Sequence, residues 1–515
     1  MADLLIVLLC LLLGQRAMAA RVIIIPQNVK SHVMFHARIA SLLAGQGHVV
    51  DILVPTNIPD VLEENGVRVI WHKTATDVPF VNTAEVSEMF VDYAMATSFY
   101  EQVSKNAAIM TKIAARWDQE CSALLADVDI TSQMVPGRYD IAIIDTATMK
   151  CHVSFIYRMD IPIILLGVLT FEWMFRVPTL PSFVPLQLSR STDRMSFLER
   201  LENTILHVFG HVGFLSLTPR TVPSTEPPIA VSDIFHRSAL YFVLDDLSIA
   251  YPRPTMPNLV YVGDAIPKPG EPLDPEVASF VAGARHGVVI FSFGSYFSHM
   301  PRSMAEKFCS AFKRIPQSVI WKQKNGTLCD ADPGKVLLLD WLPQNDLLSH
   351  DNVKLFISHC GINSILESVY HSVPIIGFPI CLDQPFNARR LEDKGLAYRM
   401  RINDFSVDEL VSNIGKILVD GAISKNLQRA SAIIRHKPDS PERRLSYWVD
   451  HVVTYGHSHL RSKAFDLNIF QFYCLDVLLV ILGILLVICV LVYSCLRKIC
   501  TYIKCCYGSK KVKTL

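Results

Sequence analysis

At 515 residues, half of them hydrophobic and 19% charged, the chain has a folding composition and is too long for one ordinary core. A formal net charge of +1 leaves no electrostatic footprint for nucleic acid, and the absence of a long polar tract excludes a disordered chain.

Leu4 to Leu13 is an apolar run of signal-peptide length, and Ala17-Met18-Ala19 after it sets cleavage after Ala19. Arg21 to Pro26 reads as a strand and Gln27 to Ser31 as a loop. A helix follows, with Phe35, Ile39, Leu42 and Leu43 at the 3.6 period, closed by Gly45-Gln46-Gly47. Val49 to Val54 completes a βαβ unit of the kind that starts a parallel sheet. His32 stands where the first strand gives way to the helix, the edge where ligands sit in open α/β sheets. Ile141 to Ile144 is a buried-type strand with Asp145 at its carboxyl end, so His32 and Asp145 fall on one rim. A carboxylate on one imidazole nitrogen fixes the tautomer and raises the basicity of the other, as deprotonating an alcohol requires. The stretches 56–133 and 170–227 read as helix and loop and are expected to wall a pocket.

Seven prolines and two glycines between Tyr251 and Pro275 make a semi-rigid connector. Val288 to Phe293 opens a second sheet, and Gly294-Ser295 makes a turn in which Ser295 is a phosphate candidate. Met304 to Phe312 is helical, Ser318 to Lys322 a strand, and Val336 to Leu339 another. Trp341 offers a flat face for a base and Gln344 an amide for its edge.

Val353 to Ser358, broken by His359-Cys360-Gly361 before Ile362, Ile365, Leu366 and Val369 resume at helical spacing, reads as strand, tight turn and helix. A helix opening from a strand end presents N–H groups and partial positive charge to a phosphate. Gly361 lets the backbone come close, His359, Asn363 and Ser364 add donors, and Glu367 lies one turn on from Asn363, placed to accept from a ribose. Strand Pro374 to Gly377 leads to Asp383-Gln384, a carboxylate and an amide for sugar hydroxyls. Helices follow near Ala388 to Lys394 and Val407 to Leu418, and Pro438 to Val453 is expected to cross back to the first domain.

Val477 to Leu496 carries no charge and is long enough to span a bilayer, and six basic residues follow it with no acidic one, so the tail is read as cytosolic. Lys511 and Lys513 sit where a dilysine retrieval signal would. Asn325-Gly326-Thr327 is a glycosylation sequon. Cysteine spacing indicates neither a zinc site nor a disulfide framework, and leaves a Cys309–Cys329 bridge open. The two D-x-D tripeptides, at Asp127 and Asp330, follow no strand entering a nucleotide site, so no metal or other cofactor is expected.

The stretch Trp341 to Gln384 resembles the signature of family 1 UDP-glycosyltransferases, most closely the animal UDP-glucuronosyltransferases, and SHVMFHARIASLLAGQGH and YDIAIIDTAT resemble the settings of that family's catalytic His and Asp. The resemblance implies an α/β fold of GT-B type, two Rossmann-like domains facing across a cleft, plus one C-terminal transmembrane helix. It implies that His32 is the general base and Asp145 its partner. Trp341 and Gln344 would hold uracil, His359 and Asn363 the diphosphate, Glu367 the ribose, and Asp383 and Gln384 the donor sugar. Departures are Cys360 where the animal enzymes carry Gly, Lys322 where they carry Arg, and Asn28-Val29-Lys30 in place of a glycine-containing turn. The expected organisation is signal peptide 1–19, acceptor domain 20–250, linker 251–285, UDP-sugar domain 286–455, juxtamembrane segment 456–476, transmembrane helix 477–496 and basic tail 497–515.

The expected activity is transfer of a hexosyl group, glucuronic acid first, from a UDP-sugar to a small lipophilic hydroxyl acceptor with inversion, in the endoplasmic reticulum membrane with the catalytic part lumenal. The alternatives are a UDP-glucose or UDP-galactose donor, or a catalytically silent UDP-sugar-binding partner subunit. Expected partners are the UDP-sugar, an alcohol or phenol acceptor and the membrane, with homo- or hetero-oligomers left open and no nucleic acid. A dinucleotide oxidoreductase is disfavoured because no G-x-G-x-x-G follows the first strand.

Overall fold

The structure is a computed structural model that describes residues 19–59, 66–77, 83–96, 99–147, 150–168, 175–187, 189, 191–217, 235–295, 297, 300–323 and 332–511. Residues 1–18 of the signal peptide, the Asn325 sequon, Cys329, Asp330 and Lys513 lie outside the described residues. The chain divides into two compact units, Met1–Leu460 and Arg461–Leu515.

The first unit holds two parallel sheets. One comprises β1 (Arg21–Ile25), β2 (Val49–Pro55), β3 (Val67–His72), β4 (Ile141–Asp145), β5 (Ile163–Gly167), β6 (Leu240–Val243) and β7 (Leu259–Tyr261), in the order β3-β2-β1-β4-β5-β6-β7. The other comprises β8 (Val288–Ser292), β9 (Ser318–Lys322), β10 (Val336–Leu339), β11 (Val353–Ser358), β12 (Ile375–Gly377) and β13 (Ala397–Arg399), in the order β10-β9-β8-β11-β12-β13. Central strands such as IAIID and VVIFS are buried along their whole length, which explains their unbroken apolar runs: a parallel strand covered on both faces needs no alternation.

Strand order reverses between β1 and β4 in one sheet and between β8 and β11 in the other. Such switch points leave a crevice beyond the carboxyl ends of the strands, because the connections leave to opposite faces. Ile25 pairs with Ile144 at one crevice and Ser292 with Ser358 at the other, so the residues that follow those strands are brought side by side.

Helix α1 (Lys30–Gly45) begins at Lys30, inside the stretch read as loop, and Asp145 is the last residue of β4 rather than the first after it. Val67–His72, within the stretch read as helix and loop, is the edge strand β3, where Arg68 and Trp71 face solvent and, among the described residues, only β2 pairs with it. Leu259–Tyr261, inside the expected connector, pairs with β6 as the last strand of the first sheet.

A disulfide joins Cys121 of α2 (Phe99–Ala126) to Cys151 of α3 (Lys150–Met159), correcting the expectation that spacing showed no framework. Cys309 is also disulfide-bonded. Thirty residues separate Cys121 from Cys151, and only the packing of α2 on α3 brings them together.

The two sheets are tied to one another by buried charge. Arg390, in α5 (Gln384–Asp393), meets Asp245 just past β6 at 2.6 Å with both side chains nearly inaccessible. Lys437 meets Asp246 at 2.7 Å, and Arg444 meets Asp264 at 2.8 Å. Arg444 belongs to α6 (Pro441–Tyr455), which packs on α1 and so crosses back to the first sheet as its place in the chain suggests.

In the second unit α7 runs Leu475–Lys511, longer than the charge-free stretch that announces it. Its Leu475–Cys505 portion contains an 18-residue stretch of mean hydropathy 3.3 and is long and apolar enough to cross a membrane.

Candidate active site

At the first crevice His32 Nδ1 lies 2.6 Å from Asp145 Oδ2. A carboxylate only accepts, so Nδ1 carries the proton and Nε2 is left as the basic nitrogen. Asp145 is wholly buried, and its other oxygen accepts from the Ala147 N–H at 2.8 Å, which fixes the carboxylate plane. Burial alone would lower the His32 pKa, but the charge and hydrogen bond of Asp145, with Asp383 adding to them, leave it raised. Burial likewise works against the Asp145 charge, and His32 outweighs it to hold that carboxyl low. The two behave as one coupled pair biased towards imidazolium and carboxylate.

His36, one helical turn beyond His32, donates from Nδ1 to the His32 carbonyl at 2.8 Å and stands 3.7 Å from Asp145 Oδ2. Its burial holds it neutral, with a pKa of about 4. This second imidazole was not singled out from sequence, although its i+4 spacing from His32 puts it on the same helix face.

At the second crevice His359 follows β11 and is buried, and its imidazole is held neutral by burial first and by the charge of Lys322 second, with a pKa of about 3. Gly361 and Gly294 flank the ring so closely that a Cβ on either would collide with Nε2. Helix α4 (Ile362–Tyr370) starts at Gly361 with no side-chain cap, leaving its first-turn N–H groups for another partner. His359 Nδ1 and Asn363 Oδ1 are buried with no hydrogen-bond partner, a costly arrangement that a bound ligand would relieve.

Cys360, between them, has φ 66°, in the left-handed region, and is fully buried. Its thiol lies against Gly377 of β12, where a Cβ would collide with Sγ. Glycine at 377 therefore makes room for the Cys360 side chain.

Glu367, on α4, accepts from Gln344 Nε2 at 2.6 Å, and the same amide reaches Ser364 Oγ at 3.1 Å. Burial raises the Glu367 pKa to about 7 despite that hydrogen bond. Trp341 is 43% exposed, and two ammonium groups lie over its ring: Lys30 of α1 at 3.8 Å and Lys322 of β9 at 4.3 Å from the centroid.

Asp383 is raised by burial, and Asn387 donates to it at 2.6 Å while also bonding the Cys360 carbonyl at 3.1 Å. Asn387 thus ties the loop at 383 to the turn at 360, and its i+4 spacing from Asp383 was the signal in sequence. Gln384 is turned inward, its amide oxygen accepting from the N–H groups of Ile380 and Cys381 at 2.9 and 3.1 Å. Ser295 sits in the turn after β8 beside Gly294, whose carbonyl accepts from Lys322 Nζ at 2.9 Å. Among the described residues no group of three His, Cys, Asp or Glu side chains is placed to hold a metal ion.

Residues 20–512 match the family described as UDP-glucoronosyl and UDP-glucosyl transferase. The chain is 29% identical over 479 residues to 2-hydroxyacylsphingosine 1-beta-galactosyltransferase of Mus musculus, covering 90% of this chain and 86% of that one. It is 28% identical over 538 residues to UDP-glucuronosyltransferase 1A7 of Mus musculus, covering 98% and 96%. Among solved structures, a UDP-glucosyltransferase from Polygonum tinctorium capable of glucosylating indoxyl aligns with a TM-score of 0.57 at 17% identity, over 85% of this chain and 99% of that one. The calicheamicin glycosyltransferase CalG4 aligns at 0.53 with 15% identity, over 85% and 99%. Two parallel sheets with crevices at both switch points and these neighbours give the chain a GT-B fold, and the match over nearly its whole length places it in the UDP-glucoronosyl and UDP-glucosyl transferase family.

Proposed function

We propose that this UDP-glycosyltransferase moves a hexosyl group to a hydroxyl of a small lipophilic acceptor with inversion at the anomeric carbon. One observation carries the mechanism: His32 is oriented by Asp145 at 2.6 Å on a helix turn whose Lys30 stands 3.8 Å from the Trp341 ring centroid, so base and nucleotide residues share one cleft.

His32 Nε2 takes the acceptor proton as the acceptor oxygen bonds to the anomeric carbon. The bond from that carbon to the diphosphate oxygen breaks, and UDP leaves with the electron pair. Asp145 balances the imidazolium that forms. The N–H groups opening α4, with His359, Asn363, Ser364 and Ser295, take up charge on the leaving diphosphate. Glu367 accepts from the ribose, Trp341 and Gln344 hold the base, and Asp383 with Gln384 holds the sugar. No step calls for a metal or other cofactor.

For the donor we propose glucuronic acid, supported by the glucuronosyltransferase relatives. The galactosyltransferase relatives support UDP-galactose as a second reading. The apolar α7 and the disulfides support a membrane-anchored protein whose body lies in an oxidising lumen, that of the endoplasmic reticulum. Asn325 would then carry glycan, and Lys511 and Lys513 would act as a retrieval signal in the cytosol.

Full-length protein in detergent, supplied in turn with UDP-glucuronic acid, UDP-galactose and UDP-glucose and a panel of phenols and lipid alcohols, should release UDP with one donor preferred. His32→Ala should abolish release and keep UDP binding. Binding of UDP with no release from any donor would replace this reading with a silent sugar-nucleotide binder.

A further inference from the structure

The residues assigned to the nucleotide all come from the second sheet, yet one cation from the first sheet reaches the same place. Lys30 opens α1, two residues ahead of His32, and its ammonium stands 3.8 Å from the centroid of the Trp341 ring. Lys322, from the end of β9, stands 4.3 Å from the same centroid, so the two ammonium groups are at most about 8 Å apart and repel one another.

Lys322 also fixes where this pair lies relative to the phosphate turn. Its Nζ donates to the Gly294 carbonyl at 2.9 Å, and Gly294 lies against the His359 ring. The indole, the two ammonium groups and the open N-terminus of α4 therefore surround one part of the cleft. Like charges drawn together beside the unpartnered His359 Nδ1 and the open first turn of α4 describe a site shaped for an anion of more than one charge.

We propose that Lys30 is a donor-binding residue supplied by the acceptor lobe, its ammonium engaging the diphosphate of the UDP-sugar. This rests on reading the cleft as a UDP-sugar site, and it adds a direct grip on the donor by the lobe that carries His32. When uracil stacks on Trp341, an ammonium must leave the ring face, and the diphosphate attached to that uracil takes up its charge. Because Lys30 and His32 are on the first turn of one helix, the nucleotide grip and the base move as one body. Nucleotide occupancy would thereby set the position of His32.

The test is binding of UDP and of uridine to the full-length protein in detergent, followed by Trp fluorescence and calorimetry, for wild type, Lys30→Met and Lys30→Arg. Methionine keeps the length and the contact with indole and removes the charge. Lys30→Met should weaken UDP by about tenfold, the worth of one charge-assisted contact, and leave uridine within about twofold. Lys30→Arg should keep UDP affinity near wild type, which a fold defect at position 30 would not allow. UDP binding unchanged in Lys30→Met, or tightened because the ammonium merely blocks the indole, would overturn the assignment of Lys30 and leave the cleft assignment standing. Wild type that binds neither UDP nor uridine would overturn both.

Discussion

The two crevices differ in how far the groups assigned to their chemistry are satisfied before any ligand arrives, although His36 Nε2 at the first is also buried without a partner. At the first, His32 and Asp145 complete one another, and both are shifted towards their charged forms. At the second, burial dominates: Glu367 and Asp383 are raised, His359 is held neutral, and two buried polar atoms lack partners. Backbone strain gathers there too, since Cys360 and Leu382 both adopt left-handed conformations beside the residues assigned to the donor. A dyad that must be ready at the moment of reaction is assembled in advance. A site that must gain energy from its ligand holds groups that only the ligand completes.

The sharpest break in that contrast comes from Asp145→Asn, which leaves the donor crevice untouched. Transfer should fall by about 10²–10⁴-fold while UDP affinity stays within about twofold. His32 works as a base only when neutral, so the rate rises with pH through its raised pKa, above the ordinary imidazole value of about 6.5. Removing the Asp145 charge leaves burial, which lowers that pKa, so the acid limb of kcat/KM should move to lower pH. A limb that stays put would mean the pair does not set the base.

The crevices depend on a common frame, and Arg390→Ala tests it. Asp245 would be left buried without its partner, a loss of about 3–5 kcal/mol that thermal or chemical denaturation would read. If transfer and UDP binding survive with unchanged stability, the lobes are held by something other than this pair.

A smaller effect is expected at Glu367, and it separates the crevices by pH. Its pKa of about 7 in the empty site means that the carboxylate is lost as pH falls through neutrality, so UDP should bind less well below about pH 7. Glu367→Gln should weaken UDP by about ten- to hundredfold at pH 8, where a charged acceptor is replaced by a neutral amide, and should flatten the pH dependence. Titration calorimetry at pH 6 and pH 8 reads both.

The same contrast governs what the sequence discloses. The donor crevice is written in one contiguous stretch, where a strand, a glycine turn and a helix put His359, Asn363 and Glu367 at fixed spacing, so its geometry could be anticipated locally. His32 and Asp145 are 113 residues apart, and only the pairing of β1 with β4 joins them, so resemblance had to stand in for derivation. The edge strand β3 and the three-residue β7 were hidden because one exposes Arg68 and Trp71 three residues apart, without strict alternation, and the other sits among prolines. The Cys121–Cys151 bridge, the Arg390–Asp245 pair and the reach of Lys30 to Trp341 depend on which elements face one another, which no local pattern contains.

Cys360 offers the finest test, because strain and packing oppose each other there. A side chain at φ 66° costs about 1–2 kcal/mol relative to glycine, whereas glycine gives back about 0.5–1 kcal/mol through the freedom of the unfolded chain. The buried thiol also fills the space over Gly377, and its pKa, pushed up to about 12 by burial, keeps it unreactive near neutral pH. Cys360→Gly should therefore shift stability by no more than about 1 kcal/mol and leave UDP affinity unchanged, since Sγ lies on Gly377 and the groups assigned to the phosphates are the backbone and His359. Cys360→Val should be worse on both counts, because a β-branched residue tolerates the left-handed region poorly. A Cys360→Gly protein that lost UDP affinity at unchanged stability would show that the donor crevice uses this residue for its chemistry as well as for its backbone.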